Sequence, residues 1–514
     1  MFDTQEPSGQ NLNLTEYRDK VLGCWTGKNI GGTLGAPFEG IQQINQVEFY
    51  TRETGGIPLP NDDLDLQLVW LLAIEEYGPT NLNERILGEY WETHISGMWN
   101  EYGVCKSNIR NGLLPPLSGS CNNERWKWSN GAWIRSEIWA CLYPGSPDEV
   151  AQMAWFDACC DHDGEGIYAE IFTAVLESAA FVLSDIPRLI DCALCRIPPD
   201  CRVARAVKLA CHCHKERLPF FEARERIVED SSDLGWFQAP GNLGFVVLGL
   251  LYGEGDFGRS IALATNCGDD TDCTAGTAGA IMGIILGRSG LPERWTTPIG
   301  NRIVTCAIDT FGQNNILPIP STLEELTDRV ARLAEEEQQE NATLVRLSSE
   351  PTCISSGWLN TLNDFSATAR RLWRRSGYEL AFDLPYGRFS VEYEGGPSVI
   401  PGTPKTLIFR LWRVRFLERQ LSVKLLPPVE WEPLDDRECL LTAKYYSRGE
   451  ASLTFVPGRC DESYYYLPIR LTLYGRRNPI ILHLPLQYTA VSHAPEAPDQ
   501  DYYDCRNRKR AISQ

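Results

Sequence analysis

The chain has 514 residues, too many for a single compact core, so its length predicts two or three domains. With 43% hydrophobic and 23% charged residues, the composition is that of a globular protein and excludes a disordered chain. The formal charge of −20 argues against nucleic acid as a partner, although a small phosphorylated ligand could bind beside a metal ion. The sequence shows neither a secretory signal nor an apolar stretch of membrane-spanning length, so we expect a cytoplasmic protein.

The first predicted element is a helix over Leu14–Gly35, whose repeated glycines indicate close backbone packing. No strand precedes it, which excludes a dinucleotide-binding fingerprint. A turn follows, and Glu39 lies in it between Phe38 and Gly40. The simpler interpretation of Glu39 is an acidic residue in a solvent-exposed turn. Its position between an aromatic residue and a glycine, however, is poorly explained by a solvated surface charge.

An acidic motif, Asn61-Asp62-Asp63, comes next. Two prolines precede it, Asn61 is a good N-cap, and Leu66–Tyr77 is apolar almost all round, so the pattern predicts a buried helix. The two aspartates could simply complement the helix dipole, which contributes about 0.3–1 kcal/mol. A buried helix would carry them into the core, however, and buried carboxylates require a counter-charge.

Six tryptophans lie between Trp91 and Trp139, and Trp133 is one of them. Such rings could present flat faces to a sugar or purine, or could form a core of large residues. Asp161 and His162 then precede a helix predicted over Ile167–Leu183. A histidine flanked by acids at a helix entrance is a candidate ligand-binding residue, although a lone histidine is more often structural.

A second acidic motif places Asp269, Asp270 and Asp272 within four residues, immediately before a run of small residues. Carboxylates so close repel one another unless protons, water or a cation screens them. Oxygen ligands suit Mg²⁺, Ca²⁺ or Mn²⁺, and a helix beginning here would hold them in fixed directions. The alternative is a solvated acidic loop that caps the helix.

Taken together, these motifs resemble the ADP-ribosylglycohydrolase family over about residues 17–305. The matching pieces are Gly31–Gly40, Asn61–Asp63, Asp161-His162 and Gly268–Cys273. The resemblance implies an all-α domain with a two-magnesium centre that cleaves the glycosidic bond of an ADP-ribosyl conjugate. It implies metal ligands at Asn61, Asp62, Asp63, Asp270, Asp272 and Cys273, and it places His162 near the ribose. Asp161 and Trp133 are further candidate substrate-binding residues. The catalytic residues would be Glu39, as first candidate for proton transfer, with Asp62 and Asp272 beside the metals.

Three positions depart from the family pattern. Gly32 replaces an aspartate, Cys273 replaces a threonine that often binds metal, and Asp269 replaces a glycine. Because a neutral thiol is a poor magnesium ligand, one metal could bind weakly, use Asp269 or water instead, or be Mn²⁺. Hydrolysis of another nucleoside or carbohydrate glycoside, and a non-catalytic ADP-ribose- or sugar-binding role, remain alternatives.

Beyond the resemblance, the pattern changes from helical to extended. A capping box at Ser321–Glu324 predicts a charged helix to Arg346, and short strands separated by Gly/Pro turns follow from about Gly357. The predicted fold is therefore an all-α domain (14–320), a connecting helix (321–347), a smaller all-β sandwich (357–490) and a flexible tail (491–514). The sandwich could bind carbohydrate or a partner, or mediate oligomerisation.

Overall fold

The computed structural model describes residues 10–308, 317–340, 345–364, 366–414, 418–428, 431–433, 437–445 and 447–488. The predicted tail, 491–514, lies outside these residues. The chain forms two compact units, one of Met1–Gly103 with Arg125–Arg374 and one of Val104–Glu124 with Arg375–Gln514. Within the described ranges, no helix is both long enough and apolar enough to cross a membrane.

Helices dominate the first unit, and short helices also occur in the segment 104–124 of the second. In chain order, the α-helices are α1 (Leu14–Gly35), α2 (Asp62–Tyr77), α3 (Glu84–His94), α4 (Asn100–Arg110), α5 (Leu117–Ser120), α6 (Glu137–Leu142), α7 (Pro147–Ala158), α8 (Glu165–Ala180), α9 (Ile186–Leu194), α10 (Arg202–Lys215), α11 (Phe220–Asp230), α12 (Ala239–Tyr252), α13 (Phe257–Asn266), α14 (Thr271–Leu286), α15 (Glu293–Thr296), α16 (Leu323–Glu340), α17 (Ser356–Thr361) and α18 (Ala367–Trp373).

The strands lie mostly in the second unit. They are β1 (Gln10–Asn13), β2 (Val345–Ser348), β3 (Glu379–Leu384), β4 (Gly387–Tyr393), β5 (Ser398–Val399), β6 (Lys405–Trp412), β7 (Glu418–Leu425), β8 (Glu432–Pro433), β9 (Glu438–Lys444), β10 (Gly449–Val456), β11 (Tyr464–Leu473) and β12 (Ile480–Tyr488). β1 and β2 pair in parallel in the first unit, so a strand does precede α1, contrary to the sequence expectation, but no glycine-rich loop separates the two.

The centre of the helical unit is the antiparallel pair α1 and α14. Four glycines spaced four residues apart, Gly23, Gly27, Gly31 and Gly35, place the α1 backbone directly on α14. A Cβ atom at any of them would overlap a main-chain carbonyl oxygen, those of Gly283, Gly279, Ala275 and Thr271 respectively. The close approach brings the end of α1, and the turn after it, beside the first residues of α14.

The second unit is a sandwich of two five-stranded sheets, with strand orders β3-β4-β6-β10-β8 and β5-β12-β11-β7-β9. Alternate residues of β6 are buried, as expected for a strand with one face on the core. The inward faces of both sheets share one hydrophobic core, which also includes Leu113, Leu117 and Cys121 of the segment 104–124. The fold class predicted from the sequence, a helical domain followed by a β-sandwich, is confirmed.

The charged helix predicted to run to Arg346 is shorter. Thr322 caps it by accepting from Glu325 N, while Ser321 N donates to the Glu325 carboxylate, so the capping box lies one residue later than expected. α16 ends at Glu340, and Val345 begins β2 as a fully buried residue. Pairing with β1 therefore overrides the helical composition of this stretch.

Candidate functional site

Three polar segments meet at one end of the α1–α14 pair. Asn61 caps α2 by accepting from Asp63 N at 2.8 Å, which places Asp62 and Asp63 in the first turn. Asp272 and Cys273 lie in the first turn of α14, and Asp270 precedes it. Glu39 ends the short turn after α1, and its charge contributes to raising the pKa of both Asp270 and Asp272. The structure therefore brings together the acids that the two motifs and the turn supply.

The carboxylates form a buried cluster in which the negative charges outnumber the positive charges. Asp63, Asp270 and Asp272 are 0%, 5% and 8% exposed. Burial first, and then the negative charge of Glu39, raises the pKa of Asp270 and Asp272 well above the ordinary value. Burial and the neighbouring Asp63 raise the pKa of Asp62 to about 6. A cation would offset this repulsion.

Side-chain atoms of Asp63, Asp272 and Cys273 lie within 4.8 Å of one another, close enough to share one ion. Asp272 Oδ1 is buried and accepts no hydrogen bond from the part of the chain that the structure describes. A buried carboxylate oxygen that lacks a donor, surrounded by further carboxylates, fits a hard divalent metal such as Mg²⁺ or Mn²⁺. The residues present therefore fit the metal that the sequence predicts.

One lysine lies inside the cluster. Lys28 of α1 is 1% exposed, and its Nζ lies 3.1 Å from Asp63 Oδ2 and 2.9 Å from Glu137 Oε1. Burial alone would lower the pKa of Lys28, but the two carboxylates raise it above its ordinary value. Gln67 Nε2 donates to the other oxygen of Glu137 at 2.8 Å, which fixes the pair in place. Sequence reasoning missed Lys28, although a lysine inside a glycine-rich apolar helix is itself a signal.

Trp133 was predicted to bind substrate, but it is fully buried. Its Nε1 donates to Asn130 Oδ1 at 3.0 Å, and Asn130 Nδ2 donates to Asp270 Oδ2 at 2.7 Å. Trp133 thus orients the Asn130 amide, which in turn orients the Asp270 carboxylate. Asn130 was also missed, because nothing in its local sequence shows that it reaches residue 270.

Asp161 and His162 are likewise fully buried. Arg135 donates to both oxygens of Asp161, at 2.7 and 3.0 Å, and His162 Nδ1 lies 2.8 Å from Asp161 Oδ1. Burial acts to raise the pKa of Asp161, but Arg135 and His162 hold it below the ordinary value. His162 Nε2 lies 3.1 Å from Ser129 Oγ, next to Asn130. Their burial does not support direct contact with substrate, and they hold the segment that carries Asn130.

The three departures from the family pattern each have a physical counterpart. A Cβ at Gly32 would overlap the Asn61 side-chain amide, so a side chain at position 32 would require Asn61 to move. Asp269 has a φ of 66°, a conformation that favours glycine. Its side chain accepts from Phe237 N and from Asn242 Nδ2 at 3.0 Å. Cys273 Sγ lies 3.4 Å from Asp63 Oδ1, as a donor. Both oxygens of Asp269 thus accept hydrogen bonds from Phe237 and Asn242, which does not favour the idea that Asp269 replaces a metal ligand.

An exposed aromatic ring lies beside the cluster. Tyr102 OH donates to Asp62 Oδ2 at 3.0 Å, and the Trp99 ring packs on Tyr102 with ring centroids 5.6 Å apart. Trp99 is 44% exposed, whereas Trp133 is buried completely. Of these two rings, Trp99 is therefore the one that can offer a face to a ligand.

Comparison with known families agrees with this geometry. Residues 13–341 match the family model described as ADP-ribosylglycohydrolase. A comparison with curated proteins gives no match. The family match includes α1, α2 and α14 and therefore every acid of the cluster. Because it covers more than half of the chain, the protein belongs to the ADP-ribosylglycohydrolase family.

Proposed function

We propose that this protein is a metal-dependent hydrolase that cleaves the glycosidic bond of an ADP-ribosyl conjugate. The observation that carries the proposal is the buried carboxylate cluster, in which Asp272 has an oxygen without a donor. Such a cluster is costly for a protein to maintain, because each buried charge must be compensated. Its convergence at the ends of three segments, within a glycohydrolase family, favours catalysis over a purely structural role.

The aspartates Asp62, Asp63, Asp270 and Asp272 would hold Mg²⁺, with Mn²⁺ as the alternative ion, and Asn61 would hold the first turn of α2 in position. The divalent ion, when bound, supplies Lewis acidity toward sugar hydroxyls and lowers the pKa of bound water. Asn130 and Tyr102 donate to two of these carboxylates and so fix the directions of their remaining lone pairs.

Glu39 is the proposed acid–base residue. Cleavage of a glycosidic bond requires a carboxyl group to give a proton to the leaving group or take one from water. Glu39 ends the turn after α1 and is partly exposed, whereas Asp272 lies buried in the first turn of α14. Because Glu39 lies beside the aspartates but outside their helices, its side chain is able to face a substrate. Asp62 and Asp272 are the proposed substitutes if Glu39 does not fill this role.

Trp99 is the proposed contact for a planar or sugar ring of the substrate, because its exposed face adjoins the Tyr102–Asp62 hydrogen bond. An aromatic face suits an adenine ring, and it suits another nucleoside or a carbohydrate glycoside equally well. The family match favours the ADP-ribosyl conjugate.

The test begins with metal-free protein and a hydrolysis screen with and without millimolar Mg²⁺. ADP-ribosyl-arginine, ADP-ribosyl-serine, nucleosides and aryl glycosides are the substrates. Glu39→Gln should retain the stabilisation by Mg²⁺ yet lose turnover by about 10²–10⁴-fold, the usual contribution of a positioned acid or base. Glu48→Gln is the matched control, because Glu48 is an exposed glutamate in the loop that follows.

Unchanged turnover of Glu39→Gln would assign proton transfer to an aspartate instead. If the parent protein binds metal and ADP-ribose but hydrolyses none of the four substrate classes, a non-catalytic binding role replaces the enzymatic one.

A further inference from the structure

Lys28 occupies a place in the cluster where a positive charge is required. Besides its ion pairs with Asp63 and Glu137, its Nζ donates to the main-chain oxygen of Ile134 at 2.6 Å and lies 3.4 Å from Thr277 Oγ1. The ammonium therefore donates hydrogen bonds to Ile134 and Thr277 and forms ion pairs with Asp63 and Glu137. The side chain is 1% exposed and cannot turn toward solvent without breaking them.

Both oxygens of Asp63 lie beside groups of the protein, Oδ2 in an ion pair and Oδ1 next to a thiol. Oδ2 lies 3.1 Å from Lys28 Nζ, and Oδ1 lies 3.4 Å from Cys273 Sγ. Asp272 is the contrasting case, because its buried Oδ1 has neither a hydrogen-bond donor nor an ion-pair partner among the described residues. The cluster is therefore asymmetric, because Lys28 pairs with Asp63 whereas no cationic side chain of the described residues pairs with Asp272.

Helix α1 adds no carboxylate on the Asp63 side. Gly32 lies one helical turn beyond Lys28, where a Cβ would overlap the Asn61 side-chain amide. On this side of the cluster α1 therefore contributes the Lys28 ammonium, which is positively charged, whereas a ligand for a second cation would be negatively charged.

We propose that Lys28 is a built-in cation that takes the place of a second divalent ion, so that of the four aspartates proposed as ligands Asp63 pairs with Lys28 and the other three hold one ion per chain. This inference rests on the proposed function, which requires metal, but it concerns the number of ions and not the reaction. In physical terms, an ammonium fixed between Asp63 and Glu137 repels a second divalent ion and already pairs with the carboxylate that would hold it.

The experiment counts Mn²⁺ ions bound to the full chain, by electron paramagnetic resonance of free Mn²⁺ and by titration calorimetry. We expect one ion for the parent and for Lys28→Arg, which keeps the charge. Lys28→Met should bind two ions, because it frees Asp63 and removes the repulsion. Lys215→Met, at an exposed lysine, is the matched control and should bind one.

Lys28→Met leaves two buried carboxylates without a counter-charge and could prevent folding. The double variant Lys28→Met/Glu137→Gln removes one charge of each sign and should also bind two ions.

The counts separate the two ways in which the reasoning can fail. Two tight ions on the parent would overturn the inference and leave the proposed metal-dependent function intact. No ion on the parent would overturn that function and the inference with it. One ion on the parent and still one on the double variant would show that Lys28 does not occupy the place of a second ion.

Discussion

Neutralising Asp272 should make the metal-free protein more stable, although the side chain belongs to the proposed site. Asp272 is 8% exposed, has one oxygen without a donor, and lies near four other carboxylates. One of its carboxylate oxygens lies within 4.8 Å of a carboxylate oxygen of Asp63. Two unit charges at that distance repel by about 3 kcal/mol at an effective dielectric constant of about 20. Since Lys28 offsets part of this repulsion, we expect Asp272→Asn to raise the free energy of unfolding by about 1–2 kcal/mol.

The assay is urea unfolding in EDTA and in millimolar Mg²⁺. The parent should gain stability with metal, by about 2.7 kcal/mol at a hundredfold excess over the dissociation constant. Asp272→Asn should gain little, so the order of stability should reverse between the two conditions. Asp200→Asn, at an exposed aspartate, is the matched control and should change neither value.

The dependence on pH follows from the same repulsion. Burial and Glu39 raise the pKa of Asp272 in the folded protein above its unfolded value. An acid with a raised pKa stabilises the folded state below the unfolded pKa and loses that contribution as the pH rises through the folded pKa. The advantage of Asp272→Asn in EDTA should therefore grow with pH. A lower metal-free stability of the variant would refute the reasoning, because it would mean that Asp272 has a stabilising partner.

Three further predictions concern neighbouring residues. Trp133→Phe removes the donor to buried Asn130 and should lower the free energy of unfolding by about 1–3 kcal/mol and weaken Mg²⁺ binding; unchanged urea unfolding and metal affinity would contradict this. Trp99→Ala should raise KM without altering stabilisation by Mg²⁺, whereas Tyr474→Ala, at an exposed ring of the sandwich, should leave KM unchanged. Cys273→Thr should tighten Mg²⁺ binding and weaken Cd²⁺ binding in competition titrations, and identical preferences would show that the thiol only packs.

The elements that could be predicted from the sequence are those with strong local signals. α1 matches its predicted bounds, Leu14–Gly35, because the glycine spacing and apolar pattern agree. Asn61 is the N-cap of α2, as the preceding prolines indicate. The end of α16 could not be predicted because the strand that follows it, β2, pairs with β1, which is distant in the sequence.

The site could be predicted only in part, for a similar reason. Three acidic segments were identified because each lies in or beside a helix start or turn with a local signature. Lys28 and Asn130 act through contacts with residues 63 and 270, which no spacing in the sequence reveals. The burial of Trp133 and His162 could not be predicted, because aromatic and polar composition does not show which side chains the core encloses.

The glycine contact between α1 and α14 has a consequence for how this protein can evolve. Because main chain touches main chain there, even a methyl group at Gly27 must push the two helices apart. Gly23 lies twelve residues before Gly35, about 18 Å along the helix axis, yet displacement anywhere on this line moves Glu39 relative to Asp270. Substitutions remote from the carboxylates should therefore abolish activity as severely as substitutions among them. New specificities would then have to arise in the loops around the acids, where the chain can vary without altering the spacing of the two helices.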